Sequence, residues 1–352
     1  MNQKHYKDTL ASAQKCLIVA PSWVGDMVMA QSLFRQLKLI NEQLIIDVFA
    51  PAWCGALTQY MPEVNQLIEA PFQHGKLNLT ARRTLGKALR GKYDVAFVLP
   101  NSLKSALVPW FAKIPARVGF LGEQRYGLLN QHKRLDKGLL PTMTQRFVGL
   151  ADLDGDAPTT SDILPPKLVV DAKACDEIAL SKNLTRSKPV LALCPGAEFG
   201  PAKQWPSEHY AAVARFYLDK GWQVWLFGSA NDKATCQQIN VQAKQACQDL
   251  SGQTSLSEAI TLLSASSLVV SNDSGLMHIA AALHKPLVAV YGSTDPSFTP
   301  PLNQQAQVVR LGLDCSPCFK RECPLQHLDC LNDLKPNLVL QASKALLNEV
   351  TA

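Results

Sequence analysis

Short runs of unbroken apolar residues, each followed by a helical pattern, recur along the 352-residue chain and constrain its fold more than any other feature. In the first half the runs are CLIVA (16–20), LIIDVFA (44–50) and DVAFVLP (94–100), with helical patterns around 26–39, 52–61, 78–91 and 102–112. The second half repeats the rhythm with PVLALCP (189–195), QVWLFG (223–228), SLVVS (267–271) and PLVAVYG (286–292). Helical patterns around 207–220, 230–246, 255–265 and 276–284 separate those runs. A strand with one wet face alternates apolar and polar residues, so unbroken runs need cover on both faces. Helices between successive strands supply that cover, and the result is a parallel, doubly wound α/β sheet. The chain is too long for one ordinary core, which favours two such domains. Residues 152–167, DLDGDAPTTSDILPPK, have the Asp, Thr and Pro content of a linker. The expected organisation is therefore a first domain over 1–151, a linker over 152–167 and a second domain over 168–335. A closing helix over 336–352 is expected to pack back on the first domain. Ligands of such sheets bind outside the carboxyl ends of the strands.

Composition limits the setting. No window approaches the apolar length of about 20 residues that a spanning helix needs. The amino terminus, MNQKHYKDTLASAQK, lacks the apolar core of a secretory signal, so a cytoplasmic protein is expected. The net charge of +6 is unevenly spread: residues 1–150 hold 19 Lys and Arg against 9 Asp and Glu, while the rest hold 16 against 20. A basic half beside an acidic one points to an anionic partner for the first domain, though a merely solvated basic face fits as well. Nucleic acid is disfavoured, because no recognition motif is present and the basic residues lack interleaved aromatic platforms.

Three loops of the second half converge on phosphate chemistry. In SLVVSNDSGLMHIAAALHKP (267–286) a strand runs through Asn272, Asp273, Ser274 and Gly275 into a helix. That arrangement aims free backbone amides at an anion, with His278 one turn inside. The alternative is a plain helix cap with a surface histidine. The loop PGAEFGPAKQWP (195–206) brings Glu198 and Lys203, and the lysine can neutralise a phosphate as a point charge. The loop FGSANDKA (227–234) offers Asp232 to ribose hydroxyls, or equally to a helix cap. Neither G-x-G-x-x-G nor G-x-x-x-x-G-K-[ST] is present, which disfavours a nicotinamide dehydrogenase and a P-loop ATPase. Asp152, Asp154 and Asp156 could chelate a divalent ion, but acidity of a linker accounts for them.

In the first half, PSWVGDMVMAQSLFRQL places Asp26 at the start of a helix, where capping is the simplest role. This segment, with PAWC, MPEVNQ, VLPNSLKSALVPWF, PGAEFGPAKQWP and NDSGLMHIAAAL, resembles the ADP-heptose:lipopolysaccharide heptosyltransferases of glycosyltransferase family 9. The likeness runs from about residue 16 to the carboxyl terminus with the motifs in order. It implies a GT-B fold, with two Rossmann-like domains facing across a cleft, the acceptor in the first and the nucleotide sugar in the second. It implies that Asp26 is the catalytic carboxylate and that Lys203, Asp273, Ser274, Gly275 and His278 bind the donor diphosphate. Glu198, Asp232 and Thr254 fall near the donor by loop position. The implied reaction is inverting transfer of L-glycero-D-manno-heptose from ADP-heptose to the first heptose of heptosyl-Kdo2-lipid A at the inner-membrane surface. No cofactor is required, and a monomer is expected. Transfer to Kdo, or a GT-B-shaped sugar-nucleotide epimerase, are the alternatives. The anionic acceptor gives the basic half a partner, with Lys104, Arg117 and Arg125 as expected contacts. A helix N-terminus favours the ionised carboxylate, making Asp26 a weak base, and a hydroxyl that turns acidic late in bond formation can be served by one.

The segment GLDCSPCFKRECPLQHLDCL (312–331) stands apart, with Cys315, Cys318, Cys323 and Cys330 spaced C-x2-C-x4-C-x6-C. Reduced thiols in a packed loop, a structural zinc site and disulfides are the three readings, and a cytosolic setting disfavours the last. The other six cysteines are scattered in apolar surroundings and read as reduced core residues.

Overall fold

The computed structural model describes residues 3–72, 76–153 and 155–348, so Asp154 of the acidic linker run lies outside the described residues. The chain divides into two compact units, Met1–Pro166 and Lys167–Ala352. The segment expected as a linker belongs mainly with the first unit: Pro158 and Pro165 accept hydrogen bonds from Gln145 and Arg35. Asp152 folds back on its own turn, accepting from the Gly155 amide.

The first unit holds six parallel strands, β1 (Lys15–Val19), β2 (Ile45–Ala50), β3 (Val64–Glu69), β4 (Val95–Val98), β5 (Ala116–Leu121) and β6 (Gln131–Arg134), in the order β3-β2-β1-β4-β5-β6. The second holds β7 (Val190–Cys194), β8 (Gln223–Leu226), β9 (Gln248–Asp249), β10 (Leu268–Asn272), β11 (Leu287–Val290) and β12 (Ala306–Val309), in the order β12-β11-β10-β7-β8-β9. Every pairing is parallel. These are the two doubly wound α/β sheets expected from the unbroken apolar runs. In each sheet the chain winds outward one way from the first strand and then the other way. The connections therefore diverge between β1 and β4, and between β7 and β10. In sheets of this kind ligands bind outside the carboxyl ends of such pairs.

Interior strands are buried on both faces: Cys16, Leu17 and Ile18 of β1 and Leu191, Ala192 and Leu193 of β7 are all 0% exposed. In the second unit Trp205, Tyr210 and Tyr217 pack with Leu191, Leu193 and Leu226. The closing helix runs Pro336–Leu346. It was expected to return to the first domain, yet its apolar face lies in the second unit's core: Val339 is fully buried there with Leu331 and Leu334. Tyr217 donates to Ser343 at 2.7 Å and fixes it further. No helix among the described residues is long and apolar enough to cross a membrane.

One carboxylate is buried in the first sheet. Asp47 of β2 accepts from Asn65 (2.8 Å), Gln66 (2.7 Å) and Tyr93 (2.7 Å), and pairs with Lys15 at 2.9 Å. Burial alone would raise its pKa, but these four partners outweigh burial and hold the group below the usual carboxylate range.

Candidate functional site

The second unit builds its site where the connections of β7 and β10 diverge. After β10 the chain turns through Asp273 and Ser274 into the Gly275–Ala282 helix. Ser274 is the N-cap residue, with φ −147° and ψ 175°, but its side chain makes no capping bond. The first-turn amides consequently have no side-chain acceptor from the cap, and an anion placed there would meet them. Asn272 ties this turn to the loop after β7. Its Oδ1 accepts from the Trp205 amide (3.1 Å) and the Tyr210 hydroxyl (2.9 Å), and its Nδ2 donates to the Pro195 carbonyl (2.6 Å).

That latch brings Lys203 to the helix mouth. Lys203 Nζ lies 2.6 Å from Asp273 Oδ2, with the side chains 15% and 5% exposed. Thr294 Oγ1 donates to the same oxygen at 2.6 Å, and the Phe199 ring lies 5.1 Å from the Lys203 ammonium. Asp273 thus holds Lys203 in one direction, while the lysine's remaining donors stay available to a ligand. His278 does not face the mouth as a cation. It is buried beneath Asp273, its Nε2 3.9 Å from Asp273 Oδ1. Burial pushes its pKa down to about 4, helped by Lys203 and opposed by Asp273, so the imidazole is neutral near pH 7. His278 therefore stands one turn inside the helix as a neutral ring next to Asp273, not as a surface histidine.

The remaining loop residues sit nearby in the same unit. Glu198 is exposed on the loop that carries Lys203. Asp232 is half-buried and closes a capping box, its Oδ2 accepting from the Ser229 amide (2.7 Å) and hydroxyl (2.8 Å). Its carboxylate fills the space beside Gly196, where an added Cβ would stand 2.6 Å away. Thr254 directly precedes Ser255, the N-cap of the Leu256–Leu263 helix, and the Gly252 amide bonds to the Gly228 carbonyl at 2.9 Å, which aligns this loop with that of Asp232.

In the first unit Asp26 lies where the connections of β1 and β4 diverge. It is the third residue of the Val24–Ile40 helix, whose N-cap, Trp23, offers no side-chain cap. The loop ahead of it is held by Trp53, whose indole donates to the Ser22 carbonyl at 2.9 Å. Lys104 follows β4 on the neighbouring loop and is half-buried. Two of the three expected acceptor contacts are otherwise engaged. Arg125 is 0% exposed, and its guanidinium donates to Pro100 O, Asn101 Oδ1, Ser105 Oγ and Phe120 O. Burial lowers its pKa to about 10, yet it stays charged. Arg125 is a strut that fixes the loop bearing Lys104, not a surface contact. Arg117 donates to Leu128 O and Ile114 O, each at 2.6 Å, and as the second residue of β5 it lies at the end of the sheet opposite Asp26. Arg117 stands near the start of an otherwise apolar strand and Arg125 sits in the polar turn that follows it, and neither setting signals in sequence that the guanidinium will be engaged by backbone carbonyls, so both were open to misreading.

Thr294, Phe199 and the latching role of Asn272 were not anticipated. Only the small polar run GSTD after β11 hinted at Thr294. Cys315, Cys318, Cys323 and Cys330 are free thiols of intermediate exposure. Among the described residues no three His, Cys, Asp or Glu side chains gather so as to hold a metal ion. Burial pushes the Cys330 thiol up to about 11, followed by the influence of Cys315, Cys318 and Cys323. The loop they occupy braces the loop that bears Lys203: the Ala202 amide bonds to Arg321 O at 3.0 Å. An added Cβ at Gly200, whose φ is +148°, would stand 2.6 Å from the same carbonyl.

The family model for glycosyltransferase family 9 (heptosyltransferase) matches residues 82–329. The chain is 47% identical to lipopolysaccharide heptosyltransferase 2 of Escherichia coli K12 over 346 residues, 95% of this chain and 98% of that protein. It is 46% identical to lipooligosaccharide heptosyltransferase 2 of Haemophilus ducreyi over 349 residues, 95% of this chain and 99% of that one. The solved structure of E. coli ADP-heptose LPS heptosyltransferase II superposes with a TM-score of 0.85 at 45% identity, covering 96% of this chain and 100% of that one. With relatives matched over nearly their full length in sequence and in fold, the chain belongs to glycosyltransferase family 9, the heptosyltransferases.

Proposed function

We propose that this chain transfers L-glycero-D-manno-heptose from ADP-L-glycero-D-manno-heptose to the first heptose of heptosyl-Kdo2-lipid A, at the cytoplasmic face of the inner membrane. The observation that carries this reading is the 47% identity, over 98% of its length, to a lipopolysaccharide heptosyltransferase 2. The acceptor hydroxyl attacks the anomeric carbon as the bond to the diphosphate oxygen breaks, with inversion. The electron pair of the broken bond leaves with ADP, and the hydroxyl proton passes to the Asp26 carboxylate. Lys203 and the amides that open the Gly275–Ala282 helix carry the growing charge on the diphosphate, so the scheme calls for no metal. Asp273 and Thr294 orient Lys203, and neutral His278 keeps a second positive charge from competing for Asp273. Glu198, Asp232 and Thr254 border the nucleoside, and Lys104 meets the acceptor's phosphates.

Replacing Asp26 with Asn keeps the shape and removes the base. Turnover should fall about a thousandfold, within the range of general-base contributions, while calorimetric binding of ADP-heptose stays near wild type. Near-normal turnover by Asp26→Asn refutes the assignment. Acceptors with and without the first heptose decide the acceptor: release of ADP only with the heptosylated one is expected. ADP-heptose turnover without any acceptor would point to an epimerase.

A further inference from the structure

Between residues 70 and 122 the chain carries nine basic residues and one acid, Asp94. Asp94 is already engaged, accepting from the Gln14 and Lys15 amides at 2.8 and 2.9 Å. The basic residues of this stretch are not spent on ion pairs within it, and their placement follows from the Leu79–Ala88 helix. Arg82, Gly86 and Leu89, spaced four and three apart, are buried, and Gly86 lies against Phe111 and Val108 of the neighbouring Leu107–Phe111 helix. Leu79, Arg83, Lys87 and Arg90 repeat the same spacing on the outward side, and all four are exposed. Beside them the chain leaves the second helix through Trp110, 42% exposed, and the exposed Lys113.

These residues surround a shallow cavity of about 440 Å³ lined by Arg83, Lys87, Arg90, Trp110 and Lys113, with Arg117 at its floor and no carboxylate on its wall. At the other end of the outward face stand Leu77 and Leu79, 50% and 49% exposed. Exposed leucines and a half-exposed indole, interleaved with cations that no acid among the described residues pairs with, have the chemistry of a surface that sits in the headgroup layer of an anionic bilayer. The indole takes the boundary between apolar and wet, the lysine and arginine stems cover apolar area, and their heads meet phosphates.

We propose that this face of the first unit docks on an anionic phospholipid membrane. It is separate from the substrate loops. Arg90, Lys113 and Arg117 lie at the amino-terminal end of β4 and β5, whereas Asp26 and Lys104 follow the carboxyl ends of β1 and β4. The helix pair spans the distance between those ends, so the first unit lies on the bilayer along the side of its sheet. The choice of a membrane over another polyanion rests on the reading of the acceptor as a membrane glycolipid.

Co-sedimentation of the full chain with vesicles tests the proposal. Binding to vesicles containing phosphatidylglycerol is expected and binding to pure phosphatidylcholine is not. Raising salt from about 0.05 to about 0.3 M should release the protein, because surface charges are screened over a shorter distance. Each cation near an anionic surface contributes about a fivefold gain in partitioning, so the triple variant R83Q, K87Q, K113Q should bind about a hundredfold more weakly. Trp110→Ser should weaken binding without changing the salt dependence. Transfer to acceptor presented in detergent micelles should be unchanged in all these variants, which separates failure of the docking surface from failure of the proposed reaction. Wild-type binding by the triple variant, or equal binding to neutral vesicles, overturns the proposal. So does loss of inorganic pyrophosphate or RNA binding in the triple variant with vesicle binding intact.

Discussion

The pair formed by Lys203 and Asp273 invites a double-mutant cycle, since its two charges are nearly desolvated and only 2.6 Å apart. At that distance and an effective dielectric of about 20, the gross attraction is about 6 kcal/mol. Desolvation of both groups offsets most of it, so the coupling measured by a cycle should be about 1–3 kcal/mol. Single substitutions should cost more than that, because each leaves a charge behind in a closed site. Asp273→Asn leaves the ammonium without its counter-charge, beside a neutral amide and the Phe199 ring, and a loss of about 3–5 kcal/mol is expected. Lys203→Met leaves Asp273 with the Thr294 hydroxyl still donating, so the loss should be smaller, about 2–3 kcal/mol. For a unit of this size each kcal/mol lowers the Tm by about 2–4 °C, which puts Asp273→Asn about 10 °C below wild type. Denaturant unfolding of the wild type, both single variants and the double variant supplies the four free energies. Donor binding by calorimetry adds a functional arm, in which Lys203→Met should weaken ADP-heptose binding about tenfold to a hundredfold through one lost charge-assisted bond. If the two substitutions add to within about 0.5 kcal/mol, the ammonium and carboxylate are not partners and the account of the helix mouth fails.

Two other expectations follow from buried cations and neutral rings. Arg125→Met removes the donors to Pro100, Asn101, Ser105 and Phe120, which should destabilise the first unit by about 2–4 kcal/mol and raise the acceptor KM by loosening the Lys104 loop, with donor affinity untouched. A raised acceptor KM with unchanged stability would instead make Arg125 a direct contact. His278, held near pKa 4 in the fold against 6.5 unfolded, binds its proton more readily in the unfolded chain. Its contribution, about 3 kcal/mol, should be complete above about pH 6.5 and drain away as the pH falls toward 4. His278→Gln should flatten that slope in denaturant titrations across the window, and an unchanged slope would refute the buried neutral imidazole.

The interior of the fold was legible because continuous burial leaves a continuous mark. β1, β2, β7 and β10 are mainly apolar and almost wholly buried, and their expected limits fall within a residue or two of those observed. The edges were not. β6, Gln131–Arg134, is mostly exposed and reads as a polar stretch, and β3, VNQLIE, is half-exposed with mixed polarity. Such strands exist because a neighbouring strand offers them hydrogen bonds, which sequence patterning does not record. Likewise the turn after β10 announced its helix mouth through small polar residues, while the charge that answers Asp273 came from a loop seventy residues away. Arg125 was misread for the opposite reason: a charged side chain suggests water, and only the fold reveals four oxygens pointing inward.

Gly200 carries a consequence for how this chain can change. The space its side chain would need is filled by the Arg321 carbonyl, and that carbonyl also holds the Ala202 amide one residue before Lys203. The position of Lys203 is therefore set in part by a remote segment, 312–328, that contains neither strand nor helix. Exposed residues there are free to vary in kind, but a gain or loss of even one residue would slide the carbonyl and carry Lys203 with it. The irregular cysteine-bearing stretch thus acts as a spacer, and one backbone carbonyl, not a side chain, carries its contact with the loop of Lys203.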